Sequence, residues 1–286
     1  MTRCDEQGYS HVKRTNFLPT RLVDISGDAT KITLLVSDGI IDGEDEYATL
    51  SHCWGSKVQP TMAALTHGSL ADFIAGVNTT SLPQTFQDAV WLTRRLGIRY
   101  LWVDSLCIMQ DDHDDWTRES AKMCDVYRNA SLTIAASRAA GSSEGFLGER
   151  KEREYARVPF CIENPSPSPL SRKDSDDVSQ TTTVSGEALV FALPPRLVYD
   201  PNYCVYLEDE PLMKRAWALQ ERYLSRRTLH FCHDQIYFEC EHSFISEDGC
   251  ISVSPIHLRP FISKTLASRR RKSRTTWRHA ATGAMS

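Results

Sequence analysis

The sequence predicts an α/β fold: a mainly parallel sheet with flanking helices, followed by a C-terminal helix and β-hairpin. Three observations carry this. Residues 100–136 run apolar segment, polar acidic turn, helical pattern, apolar segment, which is the βαβ order. An earlier apolar run, 47–52, is joined to the run at 100–103 by an amphipathic stretch from Pro83 to Gly97. A late pair of short alternating runs, 228–232 and 236–240, flanks the polar trio His233, Asp234 and Gln235 as a hairpin would.

The elements follow in order. Residues 1–18 are polar and mixed and are expected to form a flexible N-terminal arm. Residues 19–25 and 32–36 alternate enough for two strands, expected as a small β layer beside the main sheet, and Asp42-Gly43 marks a turn after them. The strand at 47–52 ends in the polar tip Ser51-His52-Cys53-Trp54, closed by Gly55. In the connecting helix, Phe86, Ala89, Val90, Thr93 and Leu96 share a face, Arg94 and Arg95 suit the C-terminal dipole, and Gly97 terminates it. The crossover is right-handed by the general rule.

The strand at 100–103 ends in Asp104, Ser105 and Cys107. In open α/β sheets ligands bind where parallel strands end, so the tips at 51–54 and 104–107 are expected on one functional edge. A helix over 114–127 follows, with aspartates at its positive end and Trp116, Met123 and Tyr127 on its apolar face. Residues 132–136 form the next strand. Residues 163–186, rich in Pro and Ser and then polar and charged, read as a disordered insertion, and 189–193 as a strand after it. The segment 211–223 reads as one helix with the stripe Leu212, Ala216, Leu219 and Tyr223, bordered by a buried Trp217. Residues 251–286 form a basic C-terminal tail around Arg269–Lys272.

The chain has 286 residues and a formal net charge of -4, which gives no global reason to bind nucleic acid; only the basic tail has that character, or that of a nuclear address. No apolar run is long enough for a membrane span, and the N-terminus has no signal-peptide core, so a cytoplasmic location is expected, with a nuclear one open through the tail. The nine cysteines include no CxxC pair and are expected to be reduced packing residues. Zinc at Cys232, His233, Cys240, His242 and Cys250 is disfavoured: with Cys232 opposite Ile236, Cys240 lies roughly 13 Å along the hairpin. No metal and no resident cofactor are expected.

The blocks YATLSHCWG (47–55), LPQTFQDA (82–89), LGIRYLWVDSLCIMQ (96–110), DWTRESAKM (115–123), YRNASLTIAA (127–136) and RAWALQE (215–221), with PTRLVD (19–24) leading, resemble the successive blocks of the heterokaryon incompatibility (HET) domain of filamentous fungi. The HET-like domain is expected over 19–250. The resemblance implies a self/non-self recognition and cell-death effector with a partner protein or self-association. It also implies a core similar to TIR and flavodoxin-like folds. Some TIR domains cleave NAD at the nicotinamide glycosidic bond, so NAD enters as a substrate candidate; the alternative is a non-enzymatic signalling module. In TIR enzymes the key glutamate lies on the helix after a central strand, close behind a tryptophan. Trp116-Thr117-Arg118-Glu119 matches that arrangement, which makes Glu119 the first catalytic candidate, with Asp104 and Ser105 lining the site. Ser51, His52, Trp54, Cys107, Trp116, Gln220 and Glu221 are the pocket candidates. A Cys107 or Cys53 nucleophile with His52 as base is a further arrangement; adjacent His52 and Cys53 point to opposite faces of a strand, which argues against that pair. HET proteins often continue into partner-sensing regions, and with 46 residues after Cys240 a stand-alone or truncated member is expected.

Overall fold

The computed structural model describes residues 17–37, 45–55, 64–150, 156–163, 183–190, 207, 209–241, 243–249 and 252–253. The chain divides into two compact units, Met1–Arg150 with Asn202–Ser286, and Lys151–Pro201. The expected turn at Asp42-Gly43, most of the N-terminal arm, the centre of the insertion, His242, Cys250 and the basic tail beyond residue 253 lie outside the described residues. Among the described residues no helix is long and apolar enough to cross a membrane.

The larger unit is built on strands β1 (Arg21–Asp24), β2 (Lys31–Val36), β3 (Tyr47–Ser51), β4 (Val77–Asn78), β5 (Tyr100–Val103) and β6 (Leu132–Ala135). Its helices are α1 (Leu70–Ala75), α2 (Gln84–Arg95), the single turn α3 (Asp104–Cys107), α4 (His113–Asn129) and, near the C-terminus, α5 (Ala216–Leu224). The sheet continues through β9 (Arg227–Phe231), β10 (Ile236–Cys240), β11 (Phe244–Ser246) and β12 (Ser252–Val253). Strands β7 and β8 belong to the smaller unit and are described below.

Strand order is β12-β11-β10-β9-β6-β3-β5-β1-β2-β4. Only the centre is parallel: β3 pairs with β5 (Ala48 opposite Leu101) and β6 (Leu50 opposite Ile134), and β6 with β9 (Ile134 opposite Leu229). The other pairings are antiparallel, so the expectation of a mainly parallel sheet is corrected to a mixed sheet with a parallel core. The reason is edge closure. β1 and β2, expected as a separate layer, pair onto the β5 edge through Val23 opposite Leu101. The C-terminal hairpin, expected to pack on the sheet, joins it at the β6 edge. Both additions cover strand edges that would otherwise carry unpaired amides.

β3, β5 and β6 are buried at every residue, as parallel strands covered on both faces must be. The core runs from Leu22 and Leu34 through Leu50, Phe86, Val103 and Tyr127 to Phe231, and Phe17 and Leu18 of the expected arm pack against it. α2 buries Phe86, Ala89, Val90 and Thr93 as its pattern indicates, but Leu96, expected on the same face, is the exposed C-cap residue, and Gly97 follows at φ +74°.

α4 differs from its expected face. Asp112 caps it, accepting from the Asp114 and Asp115 amides at 3.0 Å each. Its buried residues are Asp115, Glu119, Val126, Tyr127 and Asn129, while Trp116 is exposed. Asp115 can turn inward because β1 supplies Arg21, which grips it through two bonds of 3.0 and 2.6 Å, and Glu119 because Thr20, Arg118 and Lys122 meet it.

The segment expected as one helix over 211–223 is a 3-10 turn, Pro211–Lys214, broken at Arg215 before α5. α5 buries Ala218 and Glu221 and exposes Trp217 and Tyr223, which corrects both the stripe and the buried Trp217. The hairpin register is one residue from expectation: Ile236 faces Phe231, and Cys240 faces Arg227.

In the smaller unit β7 (Ala156–Glu163) and β8 (Thr183–Val190) form a two-stranded antiparallel ribbon. Residues 163 and 183–186 are therefore strand, not disordered insertion, and the expected strand at 189–193 begins six residues earlier. Beyond the short polar segment, alternation resumes at Val184, Gly186 and Ala188, which the loop-like composition before it masks.

Candidate functional site

The parallel strands β3, β5 and β6 end on one edge, and the polar tips follow there. After Ser51 the chain leaves β3 through His52, Cys53 and Trp54 and turns at Gly55, φ +92°. After Val103 it enters α3, which starts with Asp104. α5 covers this edge because a buried hydroxyl chain ties it down: Thr49 Oγ1 to Thr133 Oγ1 at 2.7 Å, Thr133 to Ser225 Oγ at 2.6 Å, and Ser225 Oγ donating to the Glu221 carbonyl at 2.7 Å.

That places the Glu221 carboxyl over the end of β3, where Ser51 Oγ donates to it. Burial pushes Glu221 up to about 7; the Ser51 hydrogen bond opposes this, the nearby Asp104 charge adds to it, and Arg215 and the Tyr127 hydroxyl oppose it again. Arg215 is fixed by donating to the His52 carbonyl. Asp104 accepts from Trp54 Nε1 at 3.0 Å and from the Ser105 amide at 2.7 Å. His52 Nδ1 lies 3.9 Å from Asp104 Oδ1, but burial pushes this imidazole down to about 4, so at neutral pH the two do not form an ion pair. The His52 ring meets Phe86 edge-on, with centroids 5.0 Å apart. Two buried polar atoms here have no hydrogen-bond partner among the described residues, His52 Nε2 and Ser105 Oγ.

Of the residues singled out in the sequence, Ser51, His52, Trp54, Asp104, Ser105 and Glu221 come together. Glu119 has other company: it accepts from Thr20 Oγ1 at 3.0 Å, and meets Lys122 at 3.1 Å and Arg118 at 3.4 Å. Its charge is already countered by two cations. Trp116 stacks on His113 at the start of α4. Gln220 is exposed and donates to Cys124 Sγ at 3.1 Å. Cys107 is buried and its thiol is pushed up to about 12 by burial, so it carries no thiolate at neutral pH. The Cys53 thiol is pushed up too, again by burial. Burial thus opposes thiolate formation at both cysteines.

Tyr127 and Arg215 join the cluster, although the sequence does not single them out as site residues. Arg215 opens the block RAWALQE, six residues before Glu221, and a cation so near a candidate carboxylate is the available signal. Tyr127 reads as a packing aromatic, which it also is, edge-on to Trp102.

The six cysteines among the described residues are free thiols. Cys232 and Cys240 sit at opposite ends of the hairpin. Glu210, Cys232 and Asp234 place ligand atoms within 4.8 Å of one another, but Glu210 accepts from the His233 amide and Nδ1 at 2.9 and 2.8 Å, and Asp234 from the Tyr237 hydroxyl at 2.6 Å.

The fold and site define a mixed α/β domain with a buried carboxyl, Glu221, near the half-buried Asp104 at the carboxyl edge of its parallel strands. The family model described as heterokaryon incompatibility protein (HET) matches residues 47–221, from the first residue of β3 to Glu221 itself, and the chain belongs to that family. No curated protein and no solved structure matches it.

Proposed function

We propose that this chain is an incompatibility-type cell-death effector acting by NAD glycohydrolysis, with chemistry centred on Glu221 and Asp104. The observation that carries the reading is the Glu221 carboxyl, pushed up to about 7 and held by Ser51 over the end of β3. A group with that value takes and gives a proton at neutral pH. In the reaction the C1′–N bond breaks and its electron pair returns to nicotinamide. The Asp104 carboxylate stabilises the oxocarbenium-like ribose, and Glu221 accepts the proton of the attacking water as the new C1′–O bond forms. His52 Nε2 and Ser105 Oγ, buried and without a partner among the described residues, are groups that substrate hydroxyls would satisfy. Glu119, with two cations and Thr20 around it, serves to hold α4 to the segment before β1.

The test is incubation of the purified protein with NAD and measurement of released nicotinamide. Release by wild type and its loss in Glu221→Gln, with an unchanged far-UV spectrum, is the expected result. No release by wild type, or equal release by the variant, sinks the reading. A second reading, a signalling module that binds a partner without chemistry, is favoured by the exposed aromatics Trp116 on α4 and Trp217 and Tyr223 on α5. Under that reading nicotinamide is never released, and Trp217→Ala abolishes killing while Glu221→Gln does not.

A further inference from the structure

The ribbon of the smaller unit has one wholly apolar face and one mixed face, where Pro159 and Cys161 stand among the polar and charged residues. On the first, Val158 faces Ala188, Phe160 faces Gly186, and Ile162 faces Val184. The second carries Arg157 and Glu187, paired at 3.2 Å, with Ser185 and Thr183. Val158, Phe160, Ile162 and Val184 are 37–56% exposed, unusual for four large apolar side chains in a row. A two-stranded ribbon of this kind does not bury enough surface to sustain itself in water.

We propose that this face is a self-association surface, on which the ribbon of a second copy packs face to face. Three features favour a second copy over a different protein. The face carries no charge or hydrogen-bonding side chain that would select a foreign partner; the charges are all on the reverse. It is level: a Cβ at Gly186 would sit 3.1 Å from the Phe160 ring, so the largest side chain of the row fills the gap beside the one residue without any. Level apolar sheet faces pack on their own kind about 10 Å apart, and a two-fold pairing makes one patch serve as both halves. The third feature is area. Eight paired residues span about 26 Å, and the exposed apolar surface is on the order of 500 Å² per copy, or about 1,000 Å² in total, at the low end of specific interfaces. That size fits a reversible dimer with a dissociation constant in the micromolar range. This pairing uses none of the residues of the chemistry at Glu221 and does not depend on it.

Sedimentation velocity of the full chain from about 1 to 100 µM tests the proposal. Wild type is expected to move from monomer to dimer across that range. Ile162→Lys combined with Val184→Glu keeps an opposite-charge cross-strand pair, so the ribbon stays closed, but puts charge on the apolar face; dimerisation should weaken at least tenfold. Ser185→Lys, on the reverse face, should leave it unchanged. If the double variant fails the far-UV and proteolysis checks, Phe160→Thr, a good strand former, is expected to weaken the dimer in the same direction. A wild type that stays monomeric throughout, or a dimer unaffected by both face variants, overturns the proposal.

Discussion

Ser51, the last residue of β3, donates its hydroxyl to the carboxyl of Glu221 on α5, 170 residues later in the chain. The family match begins at the strand that ends in the first of these residues and stops at the second. The two are brought together by the sheet order: β6 separates β3 from β9, and α5 leads directly into β9.

The raised Glu221 carboxyl makes stability depend on pH in a definite direction. Its value rises from 4.5 unfolded to about 7 folded, so between those values the folded state holds more proton than the unfolded. Stability therefore falls as pH rises through that window, by on the order of 3 kcal/mol for this group. Glu221→Gln should abolish that decline and gain most over wild type near pH 8. His52 acts the other way: its value falls from 6.5 to about 4, so its contribution is lost as pH drops through that range. Urea melts of wild type and variant at pH 5 and pH 8 separate the two groups. A wild-type-like decline in Glu221→Gln would show that this carboxyl is not the cause.

Asp115 and Glu119 are neighbours on the buried face of α4 with different consequences. Asp115 pairs with Arg21, both largely buried, and also accepts from the Met109 amide at 2.9 Å. Arg21→Met leaves that carboxylate buried beside only the half-exposed Arg118 and is expected to cost about 3–5 kcal/mol. The cations at Glu119 are themselves substantially exposed, and Gln can still accept from Thr20. Glu119→Gln should cost about 0–1 kcal/mol and leave NAD cleavage intact. Chemical denaturation and the nicotinamide assay check both. Lost activity in a stable Glu119→Gln would return the chemistry to α4.

Trp217→Ala shows where sequence patterning misleads. The helical stripe around 217 points to a buried aromatic, but the side chain is 57% exposed, because the 3-10 turn before α5 rotates the start of the helix. The expected loss is below about 1 kcal/mol, against about 3–5 kcal/mol for a buried tryptophan. A melting temperature several degrees below wild type would contradict the observed exposure.

The central strands and α2 are legible in the sequence because their residues follow one periodicity without interruption: β5 is four apolar residues in a row, and α2 keeps its apolar positions at helical spacing. That the two polar tips at 51–54 and 104–107 share one edge of the sheet is legible too, because the strands before them are parallel. What escapes is long-range. Nothing local in Asp115 announces that Arg21 will neutralise it, so periodicity alone misplaces the inward face of α4 and gives no sign of the partners that Glu119 meets. The mixed pairing of the sheet is likewise a property of which edges need covering, not of any one strand's composition.

Two glycines with nearly equal backbone angles should respond very differently to alanine. Gly97, φ +74°, ends α2 with nothing within 4 Å of where a Cβ would stand, so Gly97→Ala meets only the left-handed backbone cost, about 1 kcal/mol. Gly145, φ +72°, follows the turn after β6, and a Cβ there would sit 2.7 Å from Gln84 Cγ and 2.8 Å from Asp88 Oδ2. Asp88 cannot yield freely, since the same oxygen accepts from the Phe146 amide at 2.7 Å and the Leu147 amide at 3.0 Å, and its other oxygen from Gln84 Nε2 at 2.7 Å. Moving it would leave two amides without their acceptor, one of them on Phe146, whose ring packs 4.8 Å from that of Phe231. Gly145→Ala is therefore expected to cost about 2–4 kcal/mol, at least about 1 kcal/mol beyond Gly97→Ala. Paired denaturation curves of the two variants decide it: equal losses would mean that the Asp88 turn can shift without penalty, and that backbone angle alone sets the cost at both positions.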